Sequence, residues 1–186
     1  MLKMKALTVG ALSTCCYIVW DDASIGCVVI DPGAEPERIR RECEGRTIEA
    51  ILLTHGHFDH IGGVAELAAE GAEIVIHKDD APMLVDPSLN AGWLVGRQVT
   101  APQATRTIRE GDTLTYAGVT FTVLHTPGHT PGGACYQTGV WLFTGDTLFQ
   151  YGYGRTDLPG GCMPQLAASL RRLQPLAQQY EIFPGH

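Results

Sequence analysis

The strongest constraint on this chain is an apolar run that ends in a burst of imidazole. "TIEAILLT", residues 47–54, has the β-branched and apolar content of a buried strand. The next six residues, His55 to His60, hold three of the chain's seven histidines together with Asp59. A helix-compatible run from about Ile61 to Glu70 follows, with Gly71 placed to end it, so the polar cluster falls in a strand-to-helix loop. Alternate residues on an extended turn aim His55 and His57 at one point, while Asp59 and His60, nearer the helix start, aim at a neighbouring one. Imidazole and carboxylate donors suit a divalent cation. Zinc comes first, and with no thiolate in the set iron or manganese stays open. His129, Asp146 and His186 stand at the ends of later β-like runs, which favours two adjacent metal ions over a solvated polar loop.

The remaining pattern alternates short β-like and helical runs. Residues 3–9, 14–20 and 25–31 read as a meander closed by "IDPGAEPE", and a helix is expected from about Glu35 to Glu44. "AEIVIH" reads as a strand, "KDDAPMLVD" as a short helix, and residues 86–104 as a loop long enough to be functional. "TLTYAGVTFTVLHTP" and "ACYQTGVWLFTGD" read as hairpins, "MPQLAASLRRLQPLAQQ" as a helix interrupted at Pro175, and "EIFPGH" as a last strand. At 186 residues a single domain over 1–186 is expected, with two sheets and helices outside them. No apolar run approaches the roughly 20 residues of a bilayer helix, and no signal-peptide core survives Thr8, Gly10, Ser13 and Thr14. A net charge of -7 argues against a nucleic-acid backbone as partner. The six cysteines form no C-x-x-C pair, which points to reduced thiols, most of them small core residues, in a cytoplasmic protein.

Six segments resemble the metallo-β-lactamase superfamily, and within it the glyoxalase II-like thioester hydrolases: "VVIDPG", "THGHFDH", "TPGHTPGG", "FTGDTLF", "GRTDLPGG" and "FPGH". The resemblance implies an α/β (α+β) fold, a four-layer αββα sandwich with metals at one edge. It puts His55, His57 and His129 on a first metal and Asp59, His60 and His186 on a second, with Asp146 bridging. It further implies that a metal-bridging hydroxide attacks the carbonyl of a small-molecule thioester, S-(2-hydroxyacyl)glutathione above others, with Asp59 orienting the water and accepting its proton. Thiolate leaves without a strong acid.

Other residues carry two readings. Asp31 either supports the metal loop or makes an ordinary Asp-Pro-Gly turn, and Thr54 either bonds a ligand or simply suits a strand. Arg155, among glycines in "YGYGRTDLPGG", is the expected carboxylate clamp, flanked by Tyr151 and Tyr153, against a salt bridge with Asp157. His77 and His125 lie off the motifs and stay outside the site, Cys135 goes to the core, and Cys162 is a small residue before a helix. The chain stops before the C-terminal helical domain of classical glyoxalase II, which leaves the thiol part of the substrate open. It ends on His186, so the second metal is expected to be the more labile. "GRTD" also resembles persulfide dioxygenases of the same superfamily, which use one iron on the positions matching His55, His129 and Asp146. A lactonase or β-lactamase shares "HGHFDH" and "TPGHTPG". Whether the chain is a monomer or a homodimer is left open.

Overall fold

Strands β1 (Leu2–Val9), β2 (Thr14–Asp21) and β3 (Gly26–Ile30) form the antiparallel meander in a computed structural model that describes residues 1–186. From β3 the sheet turns parallel: β4 (Thr47–Leu52), β5 (Glu73–His77) and β6 (Arg106–Ile108) follow in that spatial order, giving six strands in chain sequence. A parallel neighbour needs a crossover, and α1 (Pro36–Glu42) supplies the one between β3 and β4. The second sheet has the order β13-β10-β9-β8-β7, built from β7 (Thr113–Tyr116), β8 (Val119–His125), β9 (Ala134–Thr138), β10 (Trp141–Gly145) and β13 (Glu181–Pro184).

Period-two alternation decides which side chains meet. Tyr17, Val19, Val28, Ile30, Ala50 and Leu52 point from the first sheet to the inside, where they join Phe121, Val123, Tyr136 and Phe143 of the second sheet in one core. Their neighbours Cys16, Ile18, Cys27, Val29, Ile51 and Leu53 point the other way, onto Ile39 of α1 and Ile61, Val64 and Leu67 of the following helices. The outer face of the second sheet, with Cys135 and Leu142, is covered by α4 (Met163–Leu173) through Leu173. The result is four layers, helix–sheet–sheet–helix. Each buried Val, Leu, Ile or Phe stabilises it by about 1.5–3 kcal/mol relative to exposure. Two hydrogen bonds tie the layers beside the strand ends: Tyr136 donates to the Leu53 carbonyl at 2.8 Å and Tyr17 to the Pro184 carbonyl at 2.6 Å. No helix is long and apolar enough to cross a membrane.

The structure departs from the sequence reading in four places. The helix expected from Ile61 to Glu70 is two short ones, α2 (Phe58–Ile61) and α3 (Val64–Ala68), broken at Gly62-Gly63. There the backbone lies against the Pro32-Gly33 turn so closely that a Cβ on Gly62 would sit 2.3 Å from the Gly33 carbonyl oxygen and one on Gly63 2.8 Å from that of Pro32. "KDDAPMLVD" forms only a 3-10 turn at Ala81–Leu84, and the loop that follows carries another at Gly92–Val95. Strand β6 was not anticipated, since its three residues are too few to show a period. A small hairpin of β11 (Leu148–Phe149) and β12 (Gly152–Tyr153) occupies the segment before Arg155. All six cysteines are free, with Cys16, Cys27, Cys43 and Cys135 buried.

Candidate metal centre

The segments after β4, β8, β10 and β13 emerge at one edge of the two sheets, the carboxyl ends of these strands, and they carry the seven residues singled out by the sequence, Asp59 and His60 of them within α2. The structure brings these into three overlapping groups whose ligand atoms lie within 4.8 Å of one another: His55–His57–His129, His55–His60–Asp146 and Asp59–His60–His186. The first three rings stand edge to face with centroids 4.6 to 4.8 Å apart, and His57 Nδ1 faces His129 Nε2 at 2.9 Å. Asp146 lies between the groups, Oδ1 3.4 Å from His60 Nε2 and Oδ2 3.5 Å from His129 Nε2 and 3.6 Å from His186 Nε2. Asp59 Oδ2 is 3.2 Å from His186 Nε2.

Outer hydrogen bonds fix which nitrogen of each ring is free. Thr54 Oγ1 donates to Asp31 Oδ2 at 2.6 Å and so accepts from His55 Nδ1 at 3.1 Å, leaving Nε2 of His55 with its lone pair. His129 Nδ1 donates to the Arg155 carbonyl at 2.7 Å and His186 Nδ1 to that of Leu12 at 3.0 Å, which frees both Nε2 atoms. His60 Nδ1 lies 3.0 Å from Asp31 Oδ2, off the hydrogen-bond direction but in ion-pair range, so its Nε2 faces the other carboxylates. The tail that carries His186 is held by Cys15 N–H to the Gly185 carbonyl at 2.7 Å and Gly185 N–H to that of Gly145 at 2.9 Å.

Charge divides the cluster. Burial, reinforced by the other imidazoles, pulls His55 well below the usual histidine range, and burial likewise lowers His57 and His129. Those three are held neutral, the state that ligates a metal. His60 is raised: burial opposes its charge, but the carboxylates of Asp59, Asp31 and Asp146 outweigh it. His186 is raised by its hydrogen bond to Asp59. Burial pushes Asp59 and Asp146 up, yet the surrounding imidazoles hold both below the usual carboxylate range.

The donor set fits a pair of divalent ions. His55 Nε2, His57 Nε2, both ring nitrogens of His60 and Asp146 Oδ1 are buried without a hydrogen-bond partner. Native interiors seldom tolerate such atoms, and His55 Nε2, His60 Nε2 and Asp146 Oδ1, which belong to one group of candidate donors, are what cations would satisfy.

A cavity of about 180 Å3 opens over the histidines, with Leu12, Phe58, Leu94 and Leu158 as its apolar wall. Arg155 lines it too, but its guanidinium forks onto Asp157 with Nε and Nη2 at 2.6 and 2.7 Å. Tyr151 is 97% exposed and Tyr153 55%, and neither lines the cavity. A larger groove of about 420 Å3 adjoins it through Leu12, Phe58 and Asp59. Its one cation is Arg97, which forms no ion pair. Sequence reasoning missed Arg97 and the apolar wall, although both Arg97 and Leu94 lie in the long loop it marked as functional. That loop is anchored by buried Asn90, whose Nδ2 donates to the Met83 and Val99 carbonyls and whose own carbonyl accepts from Phe58 N–H. His77 and His125, left outside the site, stack on each other 4.0 Å apart, away from the cluster.

Residues 9–186 match the Metallo-beta-lactamase superfamily, and the chain belongs to that superfamily of metallo-hydrolases. It is 35% identical over 193 residues to the hydroxyacylglutathione hydrolase GloC of Haemophilus influenzae, covering 100% of this chain and 91% of that protein. The hydroxyacylglutathione hydrolase of Yersinia pestis is 38% identical over 162 residues, which are 86% of this chain and 57% of the longer relative. Among solved structures, the B3 metallo-beta-lactamase BLEG-1 superposes with a TM-score of 0.93 at 36% identity, over 99% of this chain and 91% of that one. TTHA1623 in a di-iron-bound form gives 0.83 at 37%, over 98% and 91%, and ETHE1 from Myxococcus xanthus gives 0.77 at 30%, over 99% and 75%.

Proposed function

We propose that this chain is a dinuclear metal-dependent thioester hydrolase acting on S-acyl derivatives of a small thiol, with S-(2-hydroxyacyl)glutathione as the first substrate to test. The observation that carries it is the complete pair of donor sets, His55–His57–His129 and Asp59–His60–His186, with Asp146 between them. The relatives named hydroxyacylglutathione hydrolase support the choice of substrate. Two divalent cations, when bound, supply Lewis acidity and lower the pKa of a coordinated water from 15.7 toward about 7.

The chain's own residues do the rest. Asp59 Oδ2 accepts the proton of the attacking water, and the Thr14 hydroxyl, 3.2 Å away, orients that carboxylate by donating to it. Asp146, between the two donor sets, supplies the negative charge that would offset cations held by both. Leu12, Phe58, Leu94 and Leu158 keep bulk water from the carbonyl, which strengthens the electrostatics inside. The thiol part would extend into the groove toward Arg97. This proposal covers the single domain over residues 1–186, and metal identity is part of it: zinc first, iron as the alternative that the di-iron neighbour keeps in play.

The competing reading is a one-iron oxygenase on His55, His129 and Asp146, which the resemblance of "GRTD" to persulfide dioxygenases keeps open. It leaves Asp59, His60 and His186 without a use. Metal content measured together with S-lactoylglutathione hydrolysis and oxygen uptake on glutathione persulfide separates the two. Two ions per chain with hydrolysis are expected; one iron with oxygen uptake and no hydrolysis would overturn the proposal.

A further inference from the structure

Asp80 is fully buried, belongs to none of the donor groups, and lies just past the end of β5 in a tight turn closed by its own N–H onto the His77 carbonyl at 3.0 Å. Its carboxylate accepts from three donors: Gly132 N–H to Oδ1 at 2.6 Å, and Thr130 Oγ1 at 2.7 Å and Gly56 N–H at 3.2 Å to Oδ2. Each donor sits beside a histidine of the first group. Gly56 separates His55 from His57, Thr130 follows His129, and Gly132 is three residues beyond it. The loop after β4 belongs to the first sheet and the loop after β8 to the second, so one carboxylate spans the two layers at the point where their imidazoles converge.

We propose that Asp80 is a positioning residue for the first metal group, clamping the Gly56 and Thr130–Gly132 loops so that His55, His57 and His129 meet at one point. The inference rests on the reading of those three as a metal site. Chemistry requires an acceptor-only group here. All three partners donate, so the amide of an asparagine would turn an N–H against at least one of them. The two glycines let the backbone come this close: a Cβ on Gly132 would fall 2.6 Å from the Asp80 nitrogen, and one on Gly56 2.6 Å from Cβ of Met83 and 3.2 Å from the Asp80 carbonyl oxygen. Burial pushes the carboxyl up to about 6 against the pull of its donors, a cost the fold carries at this position.

The test uses Asp80→Asn, which keeps the volume, with Asp80→Ala beside it. In metal-free protein, NMR reads amide exchange at Gly56 and Gly132 and the ring shifts of His55, His57 and His129. In protein titrated with Zn(II) or Co(II), competition with a chromophoric chelator reads each ion's affinity, and the visible Co(II) bands read ligand geometry. Asp80→Asn is expected to speed exchange at both amides with the sheets unchanged, to shift the Co(II) bands, and to weaken the first ion about 10- to 100-fold while sparing the second. Unchanged exchange and ring shifts would overturn the proposal, as would a uniform loss of protection across both sheets. If the parent takes up no divalent ion, the metal reading fails by itself, and the clamp stands or falls on the metal-free measurements.

Discussion

Asp31→Ala isolates the support beneath the second group. Asp31 is 1% exposed, accepts from Thr54 N–H at 2.8 Å and from Thr54 Oγ1 at 2.6 Å, and lies against His60 Nδ1 at 3.0 Å. Truncation strands a buried amide and a buried hydroxyl, each costing about 1–3 kcal/mol when left unpaired. It also places alanine at φ +51°, where aspartate and asparagine are tolerated and alanine is disfavoured by about 1–2 kcal/mol. The sum, after allowing for local relaxation, is about 3–5 kcal/mol, a large fraction of a domain's total stability. Asp31→Asn keeps the backbone preference and one acceptor, and should cost about 1–2 kcal/mol, because a charge-assisted bond becomes a neutral one.

Urea unfolding of the metal-free proteins, read by far-UV circular dichroism and analysed by linear extrapolation, measures both values without any contribution from bound ions. Thr54→Val completes a cycle: if the Asp31–Thr54 contact is the source, the double variant Asp31→Asn/Thr54→Val costs less than the two single costs added. An Asp31→Ala protein within about 1 kcal/mol of the parent would refute the reasoning and return Asp31 to an ordinary turn.

Three further outcomes follow. Arg97→Ala should raise KM about tenfold for thioesters of an anionic thiol with kcat little changed, whereas Arg155→Ala, already engaged by Asp157, should move KM less; the reverse order would put the thiol on the Arg155 side. Graded chelation should remove the ion of Asp59, His60 and His186 first, because the His186 and Asp59 side chains are 27% and 13% exposed against 1% for His55, and equal affinities in a stepwise titration would contradict this. His77 is lowered from 6.5 to about 4 by burial and by His125, so between those values the unfolded chain binds a proton that the folded one refuses. Stability is therefore full above pH 6.5 and falls as pH drops through that window, by about 1–3 kcal/mol; His77→Gln should flatten the slope, and an unchanged slope would assign it to other groups.

Most strands were legible because alternation is a local property: Tyr17 and Val19 against Cys16 and Ile18 can be read without knowing what they face. The candidate metal residues were legible for a related reason, since they cluster just after apolar runs that read as strands. What escaped the sequence depends on contacts between distant segments. The break at Gly62-Gly63 has a local sign in the glycine pair itself, but what demands it is the close approach of the Pro32-Gly33 turn, about thirty positions away. Asp80 resembles any acidic residue before a helical turn until Gly56 and Gly132 are seen to donate to it. Its signal in the sequence, the doubled acid in "HKDDAP" directly after a strand, is too common to carry meaning alone. Arg155 carried two readings in the sequence, carboxylate clamp or partner of Asp157, and a local pattern could not choose between them; in the structure its guanidinium pairs with Asp157 while the residue still lines the cavity.

The clamp at Asp80 and the support at Asp31 answer the same physical problem from opposite sides of the site. A cluster drawn from two sheets inherits any slip between them, and apolar burial, being non-directional, does not by itself set which donor meets which acceptor. Hydrogen bonds to buried carboxylates are directional and costly to leave unmade. Asp31, in the first sheet, pins the start of the loop after β4 through Thr54 and reaches His60; the Ala134 N–H then donates to the Thr54 carbonyl at 2.8 Å, which brings in the second sheet. Asp80 pins the middle of the same loop at Gly56 and crosses to Thr130 and Gly132. Two buried acids, neither in a position to act as a ligand of the first group, thus locate that loop just before His55 and again between His55 and His57, and the histidines converge because the backbone beneath them has nowhere else to go.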